Sequence, residues 1–165
     1  MSDDRITLTP GGVRRLQRRL ADARAAYRAT CDDNPAAAEA GDSSVWHDNF
    51  AYEENQRRMH WQARQVRDLE GLLGRAAVVQ PVPEAPICVT VGSRVIFSTD
   101  GEPQTVWIAG WDDGDPARGR VSYNSPLGRA LIGAEVGEVR ELRVGSAVRE
   151  IEVVHIDVTA AEDDE

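Results

Sequence analysis

The chain has 165 residues and a formal net charge of −9, with 41% apolar and 28% charged side chains, which suits one ordinary domain or a small domain plus an extended element. The carboxylate excess argues against a free nucleic-acid binder, since phosphate neutralisation demands a basic face. Two distant cysteines, Cys31 and Cys88, imply no disulfide framework, and the absence of a leader or bilayer-length apolar run predicts a soluble cytoplasmic protein with no membrane partner.

Residues 1–8 read as a loose polar lead-in. Thr9-Pro10 is a helix-start signal, because Thr can cap and Pro at the first helical position gives up no needed hydrogen bond. Val13, Leu16, Leu20, Ala23 and Tyr27 then recur at steps of three and four, a heptad seam. A basic face, Arg14, Arg15, Arg18, Arg19, Arg24 and Arg28, accompanies it; the plain reading is a solvated exterior, the functional one a contact with RNA. Asn34-Pro35 must kink or interrupt this helix, and Ala36–Ala40 reads helical again up to a stop at Gly41.

A second helix carries its seam on Tyr52, Asn55, Met59, Gln62, Val66, Leu69, Leu73 and Ala76, where the two polar members weaken packing but fix register. Two helices joined by a short loop predict an antiparallel coiled coil about 45 Å long, from a rise of ~1.5 Å per residue. At its far end falls Gly41-Asp42-Ser43-Ser44-Val45-Trp46-His47-Asp48-Asn49, a loop with two carboxylates, an indole and an imidazole. Pro81, Pro83 and Pro86 mark a linker. From Val89 the pattern becomes short β-like runs: 93–98, 104–110, 120–123, 139–144 and 148–158, separated by Asp/Gly/Pro turns. One helical turn, Pro126 to Ile132 with Ser125 as its cap, interrupts them. The expected fold class is α+β: a coiled-coil hairpin over 1–79, a linker over 80–88, an antiparallel β domain with one short helix over 89–159, and an acidic, disordered tail over 160–165.

These residues resemble the GreA/GreB family of bacterial transcript-cleavage factors. Val121-Ser122-Tyr123-Asn124-Ser125-Pro126-Leu127-Gly128-Arg129-Ala130-Leu131-Ile132-Gly133 is similar to that family's Asn/Asp-Ser-Pro-x-x-Arg-x-Leu signature. Leu8-Thr9-Pro10-Gly11-Gly12 resembles its opening. Gly41-Asp42, Asp48-Asn49 and Tyr52 resemble its Gly-Asp-x-x-Glu-Asn-x-x-Tyr tip, and Asp68-Leu69-Glu70 its second-helix Asp-Ile-Glu. Each motif alone is weak, but the ordered set spans nearly the whole chain.

The resemblance implies that the β domain is FKBP-like and docks at the rim of the RNA polymerase secondary channel through Asn124, Ser125, Pro126, Leu127 and Arg129. It also implies that the coiled coil enters the channel and meets the nascent RNA 3′ end, as a monomer that is not itself an enzyme. Transcript cleavage is two-metal hydrolysis of a phosphodiester, and acidic tip residues can lend oxygen ligands to a second Mg²⁺ that the polymerase holds loosely. Here Asp42 and Asp48 would be the shared catalytic and metal-binding pair, with no cofactor of the protein's own and Mg²⁺ only in the polymerase complex. Ser44, Trp46, His47 and Asn49 would be tip contacts.

The tip departs from the family pattern. Six positions separate Asp42 from Asp48, and Asp stands where the family has Glu. Since about 1 Å of misplacement can cost on the order of a hundredfold in rate, the alternative is a channel binder that modulates or inhibits polymerase without stimulating cleavage. Trp46 would then stack on a base or the channel wall; the plain reading is that it folds back over Val45 or Phe50. His47 could move a proton or contact phosphate, or be merely solvated. Cys31, Cys88, His47, His60 and His155 lack zinc-ligand spacing. An FKBP-type prolyl isomerase and a coiled-coil adaptor are the rival classes; the first lacks aromatic residues beyond Trp107, Trp111 and Tyr123.

Overall fold

A computed structural model describes residues 5–33, 50–79 and 86–158. The chain divides into two compact units, Arg15–Gly74 and Met1–Arg14 with Arg75–Glu165. Residues 1–14 and 75–79, grouped with the helices on sequence, therefore fall in the sheet unit.

Two helices, α1 (Pro10–Asp32) and α2 (Phe50–Gly74), of 23 and 25 residues, supply the helical unit, which takes α1 from Arg15 onward. Leu16, Leu20, Ala23 and Thr30 are buried on α1, and Asn55, Gln62 and Leu69 on α2. Apart from Thr30, which the spacing did not single out, these are positions of the heptad seam read from the sequence, and Ala76 drops out because α2 ends at Gly74. Asn55 Nδ2 donates to Thr30 O at 3.4 Å, and Arg24 bridges Glu70 at 2.6 Å. Moving up α1 from 24 to 30 the partners run down α2 from 70 to 55, so the helices are antiparallel. The expected kink at Asn34-Pro35, the short helix 36–40 and the tip loop lie outside the described residues, as do 80–85 of the linker and the acidic tail.

The sheet unit begins with the stretch that reads as a lead-in. Ile6–Leu8 is instead a strand, β1, with Ile6 and Leu8 buried. It pairs in parallel with β2 (Ala76–Val78), with Ile6 opposite Ala76 and Leu8 opposite Val78. Its partner lies some seventy residues away, and a three-residue run is too short to show periodicity, so neither strand is legible locally. Ile6 N donates to Arg75 O and Val79 N to Leu8 O.

The main sheet has strands β3 (Ser93–Thr99), β4 (Glu102–Ala109), β5 (Arg120–Ser122), β6 (Val139–Val144) and β7 (Ala147–Val158), in the order β5-β4-β3-β7-β6. Three pairs are antiparallel, as expected, and β4–β5 is parallel, which makes the sheet mixed. Asp100 and Gly101 form the tight β3–β4 turn at φ 54° and 84°, the backbone that an Asp-Gly pair supplies most readily. Val95 and Phe97 of β3, Val106 and Ile108 of β4, and Ile151, Val153 and Ile156 of β7 form the core. On β7 the inward positions step from 153 to 156 rather than 155. The β3–β7 register shifts between Ile96 and Phe97, so Val154 is the extra residue of a bulge that bends this long strand. Leu131 and Ala134, from α3 (Pro126–Leu131) and the turn after it, complete the core with Val89.

Candidate functional site

The residues singled out for the tip, Asp42, Ser44, Trp46, His47, Asp48 and Asn49, all lie outside the described residues. The expected docking loop lies within them. Ser125 is the N-cap of α3, its Oγ accepting from Gly128 N at 3.1 Å, and Pro126 follows at the first helical position. This is the arrangement its sequence predicts, and it pins the loop by one side-chain and one ring constraint. Pro126 and Arg129 are exposed, whereas Leu127 packs against the core.

Asn124 is held from behind. Ser122, buried, donates its hydroxyl to Gly110 O at 2.6 Å, and the same Oγ contacts the Asn124 side-chain amide. A hydroxyl has a single proton, so with Gly110 O as its acceptor the amide must turn its N–H toward Ser122 Oγ. Asn124 thus braces the loop from within. Gly128 lets α3 approach this brace: a Cβ there would stand 2.7 Å from Tyr123 Cα and closer still to Ser122 O.

Two aromatic residues beside this loop were not singled out as contacts from the sequence. Trp111 and Tyr123 meet edge to face with centroids 6.1 Å apart. Tyr123 Oη accepts from Thr7 N at 3.4 Å, Trp111 N donates to Thr7 O, and Trp111 remains 37% exposed. The available signal was Gly110 at the end of an apolar strand: a Cβ there would meet Leu8 Cα and Thr7 O at 2.9 Å each, so the glycine admits β1 and leaves the next side chain at the rim. Trp107, by contrast, sits on the sheet face opposite the core, beneath the Arg94 guanidinium at 5.3 Å and against Gly119.

Among the described residues no group of His, Cys, Asp and Glu could hold a metal ion, and no helix is long and apolar enough to cross a membrane. On α1 the Tyr27 hydroxyl is held above its ordinary pKa, chiefly by its hydrogen bond with Cys31. In the sheet unit Glu138 is held below the usual carboxylate range, first by its hydrogen bond from Arg140 and then by the Glu135 N–H.

A paired-helix unit joined to a mixed-sheet unit with a braced Asn-Ser-Pro turn is the architecture anticipated for a transcription factor of the Gre type. The model of the family "Transcription elongation factor, GreA/GreB, C-term" matches residues 85–158. The GreA of Rhodospirillum rubrum is 30% identical over 159 residues, spanning 92% of this chain and 98% of that one. The GreA of Thermomicrobium roseum is 37% identical over 93 residues, but that match spans only 60% of its length and 56% of this chain. GreA factor homolog 1 (Gfh1) of Thermus thermophilus overlays at 25% identity with a TM-score of 0.43, covering 93% of this chain and 99% of that one, a fit too loose to carry weight. The chain belongs to the GreA/GreB family of transcription elongation factors.

Proposed function

We propose that this protein is a cytoplasmic, monomeric accessory factor of bacterial RNA polymerase, docking by its sheet unit at the secondary-channel rim and inserting the helical hairpin. The observation that carries this reading is the full-length similarity to GreA, which covers both units in order. The braced 122–128 turn supports it, because a rigid convex loop loses little conformational freedom on docking. Asp42 and Asp48 would then lend oxygen ligands to the polymerase's own Mg²⁺ near the RNA 3′ end. That ion supplies charge stabilisation and an activated water, and the factor's part is to place two carboxylates.

The wide Asp42–Asp48 spacing favours a second reading, in which the factor fills the channel without supporting cleavage. Stalled, backtracked polymerase carrying end-labelled RNA separates the two. Factor-dependent shortening of the RNA that Asp42→Asn or Asp48→Asn abolishes supports cleavage. Uncut RNA with slowed extension supports the second reading, and failure to bind polymerase overturns both.

A further inference from the structure

We infer that Trp61, on the outer side of α2, is an anchor that inserts into an acidic-rimmed apolar cleft on RNA polymerase; this rests on the polymerase-binding reading above. Trp61 lies one residue from the buried seam position Gln62, about 100° around the helix, and is 63% exposed. Nothing in the hairpin's own packing requires a large indole there, and an unburied one forfeits the free energy that apolar surface gains on leaving water.

Its surroundings indicate the partner's chemistry. Arg58 and Arg64, three residues to either side, share its side of the helix, and neither has an ion pair among the described residues. Arg57, four residues before it, is occupied by Glu53 at 3.6 Å and Glu54 at 3.5 Å. An indole flanked by two unpaired guanidiniums is the composition of a protein–protein hot spot, where Trp and Arg dominate, and its complement is an apolar cleft with carboxylates at the rim. A polynucleotide fits less well. Among the described residues only two unpaired guanidiniums, Arg58 and Arg64, flank the indole, Arg57 being held by Glu53 and Glu54, and phosphate binding needs several uncompensated cations in a row.

The test measures equilibrium binding of the full-length protein to purified bacterial RNA polymerase for the wild type, Trp61→Ala and the double variant Arg58→Glu/Arg64→Glu. Ala is a better helix former than Trp, and circular dichroism confirms the helices. The expectation is that Trp61→Ala weakens binding by about tenfold or more. Should Trp61→Ala lose helicity, the double variant carries the test, because it keeps the indole. It is expected to bind more weakly and with a shallower dependence on salt than the wild type. A wild type that binds while both variants bind equally well overturns this inference alone, and a wild type that does not bind overturns the polymerase reading with it. Two further results also overturn it: Trp61-dependent affinity for a free single-stranded RNA oligonucleotide with polymerase affinity unchanged, and Trp61-dependent self-association by sedimentation.

Discussion

Gly128 stands so close to Ser122 that the helix carrying it could not pass the Ser122 carbonyl with any side chain at that position. The contact joins the first turn of α3 to the end of β5, and both flank the loop expected to dock. Gly128→Ala should therefore lower unfolding stability by about 1–3 kcal/mol, the usual cost of overpacking, and weaken polymerase binding along with it. Thermal unfolding monitored in the sheet unit tests this; an unchanged midpoint would mean that α3 shifts freely.

Gln62 is buried in the helical seam, and its Oε1 finds no donor among the described residues. An unsatisfied buried acceptor costs about 1–3 kcal/mol, so Gln62→Met, similar in size and without the demand, should raise the stability of the hairpin by about 1 kcal/mol or more. The gain should come at the expense of register, since a polar seam residue discriminates among pairings. Chemical denaturation followed by helical dichroism gives the sign. A less stable variant would show that the amide is satisfied in solution.

Arg24 and Glu70 form a short bridge between the helices at 2.6 Å, with both side chains nearly half exposed. Solvent screens such a pair, and its contribution should lie under about 1 kcal/mol. Glu70→Gln is expected to shift unfolding by no more than that, with the difference fading at high salt. A larger, salt-resistant loss would identify the bridge as a structural determinant of helix pairing.

Glu138 accepts from Arg140 Nε at 2.6 Å and from Glu135 N at 3.0 Å, and these bonds hold its carboxyl below the ordinary carboxylate range. A carboxylate whose folded pKa is depressed contributes stability above its unfolded pKa and loses it as pH falls through the folded value. The wild type should thus exceed Glu138→Gln in stability by a constant margin at neutral pH, and the margin should close as pH falls through the ordinary carboxylate range and below it. Parallel unfolding curves at every pH would remove the carboxylate from the account.

Much of this architecture was legible because it is local. The Val139–Val144 strand has the bounds its alternation suggested, and the α3 cap follows from Ser125-Pro126 alone. The heptad spacing located Leu16, Leu20, Ala23 and Leu69 in the seam. What escaped depends on contacts between distant parts of the chain. No run of three residues announces that Ile6–Leu8 will pair with Ala76–Val78, and parallel pairing of β4 with β5 leaves no mark in either strand. The bulge at Val154 hides because a period of two tolerates one slip without losing its apolar character. In the 122–128 turn the side-chain types were readable, but Asn124 pointing inward follows from the Ser122 hydroxyl and Gly110 carbonyl, which only folding brings together.

The in-register clasp of β1 with β2 means that the polypeptide departs for the helices and comes back through neighbouring rungs of one ladder. The helical segment is in effect a cassette spliced between two rungs of that ladder. Whole heptads could be added to or removed from both helices together without disturbing the splice. Helix length can therefore be varied, by selection or by an engineer, independently of the ladder that closes the sheet unit.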